Sequence, residues 1–203
     1  MEDLMARWRG LTRSGPDELG SDLLARWREP HRRYHTLDHL RAVLDVIDAL
    51  ETHAADATAV RLAAWFHDAV YECRPGDDER ASAQLAADML PSAGVPDARI
   101  AEVVRLVRLT AGHDPAADDA NGAALCDADL AVLAGEPDEY AAYAAAVREE
   151  YSHVSDRDFR QGRIAVLRNL LGRERLYRTA TGSAWEAVAR RNIRAELDLL
   201  SVS

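Results

Sequence analysis

The stretch LAAWFHDAVY, residues 62–71, sets an adjacent histidine and aspartate inside an otherwise apolar run. Val60, Ala63, Ala64, His67 and Val70 fall close to positions i, i+3, i+4, i+7 and i+10. That spacing predicts a helix over 57–73 with one apolar stripe, and it places His67 on the stripe. Asp68 follows Ala64 by four residues and is expected to turn inward as well. An ionised carboxylate taken out of water costs on the order of several kcal/mol unless it is paired or bound to a metal. The stretch therefore argues for a helical core and asks what compensates its charge.

Outward from this stretch the helical period repeats, and strand signals are nearly absent. The spacing predicts helices near 2–12, 16–29, 36–54, 57–73, 78–90, 97–110, 124–134, 138–153, 156–171 and 183–200. Breaks fall at RSGP, REPHRRY, RPGD, PSAGVPD, AGHDPAADDANG and AGEP. Thr36 and Ser155 are candidate N-caps. The acidic segment 111–123 reads as the longest loop. There is no internal repeat and no linker. The expectation is an all-α, single-domain helical bundle over 1–203, with a metal-site core at about 31–134 and C-terminal helices at about 138–200 packing on it.

Composition narrows the function. A formal net charge of -10 argues against general binding to nucleic acid or to anionic membranes. No apolar run approaches the about 20 residues that span a bilayer. The opening MEDLMARWRG has no long apolar segment of the signal-peptide kind, so a cytoplasmic protein is expected. All 25 basic residues are arginine. That excludes a lysine nucleophile, a pyridoxal Schiff base and a Walker-type lysine. Cys73 and Cys126 have no zinc-ligand spacing and read as reduced thiols.

Two more apolar stripes carry ionisable groups. In YHTLDHLRAVLDVIDAL, Leu40, Val43, Leu44, Ile47 and Leu50 face inward, and His39 precedes Val43 by four. His35 stands four residues earlier, at the helix start. In ALCDADLAVL, Asp129 shares its stripe with Leu125, Val132 and Leu133. Asp127 points toward Ala124 and Ala131 and reads as an exposed charge near the helix N-terminus. Two imidazoles and two carboxylates, His39, His67, Asp68 and Asp129, meeting in one core make a metal site, and its cation offsets the buried aspartates. Mn, Fe, Co, Ni, Zn or Mg all suit such ligands, as one ion with a second conceivable.

The order His, His-Asp, Asp on helices resembles the HD superfamily of metal-dependent phosphohydrolases. The matching stretches are YHTLDH, AAWFHDAVYE, DDERASA, LTAGHD, DADLAVL, YAAYAAAVREEY, DFRQGRIAVL and ARRNI. The resemblance implies that His39, His67, Asp68 and Asp129 are the metal ligands. YHTLDH is also similar to the start of the cyclic-nucleotide phosphodiesterase site, which implies that His35 is the general acid. Thr36 stands where that motif has asparagine, and Asp78-Glu79 stands where the closer subfamily often has Asn-Glu.

On this reading the metal activates a water against a small phosphate ester such as a nucleotide, with Asp68 and Asp129 also taking catalytic roles. His113 is a candidate second-metal ligand or phosphate contact, or else a charge favoured by a helix C-terminus. Glu72 faces the pocket or solvent. Asp77, Asp78 and Glu79 form a helix N-terminus or a second site. Arg148, Tyr151 and Arg163 lie in the matching stretches and are candidates for substrate binding or for structural pairing. Two other classes stand beside this one. One is a di-iron oxygenase of the same superfamily, which needs more histidines than His113 between His67 and Asp129. The other is a catalytically silent regulatory module. Homo-oligomerisation is left open.

Overall fold

The structure is a computed structural model that describes residues 2–12 and 16–202. Most of the expected RSGP break lies outside the described residues. Among those described, ten α-helices and three short 3₁₀ turns make up all the regular structure, with no strand. The helices are α1 (Glu2–Thr12), α2 (Asp17–Arg26), α3 (Leu37–Ala49), α4 (Ala57–Phe66), α5 (Asp77–Met89), α6 (Asp97–Leu109), α7 (Ala120–Asp129), α8 (Pro137–Glu150), α9 (Asp156–Gly172) and α10 (Glu186–Val202). None is long and apolar enough to cross a membrane.

Helix α4 is the centre of the fold. Seven of its ten residues are buried, from Ala59 to Phe66 with Arg61 as the exception. A helix that is apolar nearly all round must be covered on every side. Helices α3, α6 and α7 do this, and α1 and α5 complete the layer. The main core collects Leu40, Leu44, Ile47, Trp65, Phe66, Val103 and Leu125. A second cluster holds Leu133, Leu167, Leu170, Tyr177 and Ile193. Trp185 packs against both clusters, joining the C-terminal helices to the rest.

The expected caps form. Thr36 Oγ1 accepts from the Asp38 N–H at the start of α3. Ser155 Oγ accepts from the Asp158 N–H at the start of α9. Each satisfies a backbone donor that the first helical turn leaves without a partner. Both cysteines are free thiols.

Three expected boundaries are corrected. The predicted helix 57–73 ends at Phe66. His67 Nδ1 donates to the Ala64 carbonyl at 2.8 Å, so the side chain takes the acceptor that the Asp68 N–H would use in a continuing helix. The Asp68 and Ala69 carbonyls are claimed by the Arg32 guanidinium at 2.8 and 3.4 Å. The helix expected over 36–54 stops at Ala49, and a 3₁₀ turn follows at Glu51–His53. The end of the expected loop 111–123 is helical, because Asp119 caps α7 through the Gly122 N–H.

Candidate metal centre

The end of α4 at Phe66 shapes the site. His67 leaves the end of α4, and Asp68 follows in a tight turn that points its carboxylate at the same space. Helix α3 brings His39, and the last residue of α7 is Asp129. His39 Nε2 lies 3.2 Å from His67 Nε2 and 3.1 Å from Asp129 Oδ1. His67 Nε2 lies 3.4 Å from the same oxygen. One ligand atom from each of His39, His67 and Asp129 thus fits within 4.8 Å of the others, in a cluster able to hold a metal ion. Asp68 Oδ2 stands 3.1 Å from His67 Nε2 and 3.8 Å from His39 Nε2.

The donor chemistry suits a cation. Because the Ala64 carbonyl can only accept, His67 carries its proton on Nδ1, and neutral His67 turns a bare Nε2 lone pair toward His39 and both carboxylates. Without a positive charge at the centre, lone pairs and carboxylates would face one another. A proton serves in the absence of metal. Burial pushes the His67 imidazole down, but Asp68 and Asp129 overcome this and raise it well above its ordinary value. Burial likewise pushes Asp68 and Asp129 up, and the imidazoles, His67 foremost, hold both below the usual carboxylate range. His39 is held low by burial.

Arg32, one of the residues in the expected REPHRRY break, positions two turns at once. Its buried guanidinium donates to the carbonyls of His35 and Asp68 and pairs with Glu29. It also lies over the rings of Trp27 and Tyr71. Glu150, the last residue of α8, does the same for the turn before α3. Its carboxylate accepts from the backbone N–H groups of Arg33, Tyr34 and His35, from the Tyr71 hydroxyl, and from His35 Nδ1. Reading the sequence site by site missed both residues. For Glu150 a signal existed: Tyr140, Tyr143, Val147 and Glu150 are spaced i, i+3, i+7 and i+10, and all but Tyr143 are buried.

His35 is not among the close ligand atoms. Its Nε2 lies 3.9 Å from Asp68 Oδ2 and faces a cavity of about 440 Å³. Burial lowers the His35 imidazole, but Asp68 and Glu150 prevail and hold it above its ordinary value. His113 follows the end of α6 with a left-handed backbone, φ 46°, and its Nε2 is 2.7 Å from Asp129 Oδ2. Arg173 donates to the carbonyls of Gly112 and His113, which holds that turn against Asp129.

The other expected residues divide. Glu79, Tyr151 and Arg163 line the cavity. Glu79 also accepts from the Gly76 N–H at the start of α5, so the acidic run does form a helix N-terminus. Glu72 is exposed and away from the cavity, because the helix that would have carried it one turn past Asp68 has already ended. Arg148 is also off the cavity: it donates to the Tyr151 and Val154 carbonyls and pairs with Asp156. Asp127 corrects a further expectation. It is fully buried, accepting from the Arg178 and Thr179 N–H groups at 2.8 Å each. Asp129 keeps slightly more exposure because it faces the cavity.

Comparison with family models, with curated proteins and with solved structures finds no match for this chain. Fold and site define an all-helical protein with a buried His/His/Asp cluster able to bind a metal ion.

Proposed function

We propose that the protein is a metal-dependent phosphohydrolase of the HD type, acting on a small phosphate ester. The supporting observation is the meeting of His39, His67 and Asp129 in one cluster, with Asp129 and the neighbouring Asp68 opening onto a cavity that His35 also lines. When bound, a divalent cation would lower the pKa of a water and polarise a phosphoryl oxygen. Everything else falls to the chain. His39, His67, Asp68 and Asp129 would hold the ion. Asp129 would accept a hydrogen bond from the attacking water. His35, whose imidazole Asp68 and Glu150 hold above its ordinary value, would give its Nε2 proton to the leaving oxygen. Glu150 and Arg32 hold His35 and Asp68 at the required separation. His113, hydrogen-bonded to Asp129, orients that carboxylate. In this reading the whole chain acts as one domain, since α8 and α9 supply one wall of the cavity.

The test is elemental analysis of the purified protein joined to phosphoester assays with each of Mn, Fe, Co, Ni, Zn and Mg. Stoichiometric metal with metal-dependent ester hydrolysis supports the reading. Two irons with a visible absorption band and oxygen consumption would instead support the oxygenase. Bound metal without turnover of any ester would support a regulatory module.

A further inference from the structure

We propose that the cavity selects a phosphate monoester whose alcohol side is an uncharged aromatic group, and that it rejects polyphosphates. This deepens the phosphohydrolase reading and rests on it. The cavity floor is His35, Asp68, His113 and Asp129, and its far wall comes from α8, α9 and the turn between them. That wall carries Tyr143, Tyr151, Val154, Phe159 and Val166. Tyr71 continues it down to the floor, with its ring centre 4.2 Å from that of His35. The rings of Tyr151 and Phe159 are 5.8 Å apart and tilted. A phosphate seated over the ligand cluster directs its alcohol toward this wall, and aromatic rings gain from offset or edge-on packing there. The volume of about 440 Å³ lies in the range of small-molecule sites, about 300–1,000 Å³.

Charge sets the other half of the selection. A second and third phosphate need cations, best supplied by guanidinium forks in a chain without lysine. Arg163 is the one arginine among the lining residues. Its Nε and Nη2 lie 2.7 and 3.0 Å from the two oxygens of Glu196, and its Nη1 lies 3.1 Å from the Tyr143 hydroxyl. Its side chain is only 9% exposed. That guanidinium is neutralised by Glu196, and each of its three nitrogens already donates a hydrogen bond. Glu79 and Asp158 line the same cavity and repel further negative charge.

The experiment compares kcat/KM of the metal-loaded protein for 2-(1-naphthyl)ethyl phosphate, glycerol 1-phosphate and ATP. The first two have primary alkyl leaving groups, so leaving-group chemistry does not decide between them. The naphthyl ester is expected to lead by tenfold or more, on the order of one well-packed ring. Tyr151→Ala and Phe159→Ala should each cut that preference roughly three- to tenfold. A ratio of two substrates on one protein cancels any loss of folded material. A preference for ATP or glycerol 1-phosphate, or variants that leave the ratio unchanged, overturns the proposal. If no ester is hydrolysed, the phosphohydrolase reading fails, and binding decides the selection separately. Fluorescence polarisation of the naphthyl ester, displaced by 2-(1-naphthyl)ethanol and not by tripolyphosphate, would keep the aromatic selection. Absence of binding, or displacement by tripolyphosphate, would overturn it.

Discussion

Glu150 reaches His35 across 115 residues of sequence, its Oε2 lying 2.7 Å from the imidazole Nδ1. Its Oε1 accepts the N–H groups of Arg33, Tyr34 and His35 at 2.8, 2.8 and 2.9 Å. One carboxylate thus orders the turn before α3 and aims His35 Nε2 into the cavity. Glu150→Gln keeps an acceptor oxygen but removes the charge that offsets the burial of His35. The expected outcome is a lower His35 pKa, read by NMR titration of the imidazole. If His35 is the general acid, the alkaline limb of the pH–rate profile should move to lower pH with it. An unmoved titration would mean that Asp68 alone sets the charge on His35.

The same carboxylate should register in acid stability. Burial alone would raise Glu150, yet the hydrogen bond from His35 and the backbone N–H groups hold it at about 2, against 4.5 ordinarily. A depressed carboxyl pKa stabilises the fold fully above the unfolded value. That stabilisation is lost as pH falls from about 4.5 toward about 2, and it amounts to roughly 3 kcal/mol by linkage. Denaturant titrations of wild type and Glu150→Gln should therefore converge as pH falls through this window. Parallel curves would contradict the assignment.

Asp127 and Asp129 should fail in different ways. Asp127→Asn presents an amide N–H₂ where two backbone donors, Arg178 and Thr179, expect acceptors. An unsatisfied buried donor costs about 1–3 kcal/mol, so this variant should lose stability while keeping metal. Asp129→Asn should lose metal affinity with a smaller change in melting temperature. Calorimetry and elemental analysis on both variants give the comparison. Equal metal loss in both would remove the distinction.

What the sequence made legible was encoded over a few residues. The stripe of α3 and the Thr36 and Ser155 caps are local patterns, and each formed, whereas α4 is buried nearly all round and ends before His67 and Val70. What it concealed depends on distant partners. The end of α4 is set partly by Arg32, 36 residues from Asp68 in sequence. Asp127 is buried by backbone donors 51 and 52 residues away. Arg148 and Arg163 stand in equally suggestive stretches, and only the fold shows one bound to backbone carbonyls and the other locked to Glu196. Glu150 is the intermediate case, a carboxylate on a buried stripe of the same kind that singled out Asp129.

Metal uptake should be coupled to protons. In the metal-free protein the raised pKa of His67 means that the proton stabilises the fold fully below the unfolded value of 6.5. That contribution disappears as pH rises through the higher folded value. A metal must displace this proton, so affinity should increase with pH across the same interval and binding should release protons. Calorimetric titrations in buffers of different ionisation enthalpy measure the release directly. His67→Ala and Asp68→Ala should each abolish stoichiometric metal, and full occupancy in either would sink the ligand assignment.

Proton transfer can be separated from metal binding through His35. It faces the cavity, and its Nε2 is 3.9 Å from Asp68, outside the close ligand cluster. His35→Ala is therefore expected to retain metal. An alkyl phosphate needs a proton on its leaving oxygen as the P–O bond breaks, whereas nitrophenolate departs with little help. General acid catalysis contributes ~10²–10⁴-fold, so His35→Ala should lose about that much on an alkyl ester and far less on a nitrophenyl ester. Because both rates come from the same preparation, partial unfolding would depress them together and leave their ratio unchanged. Loss of metal in the variant would make His35 a ligand. Equal rate losses on the two esters would remove its role as the acid.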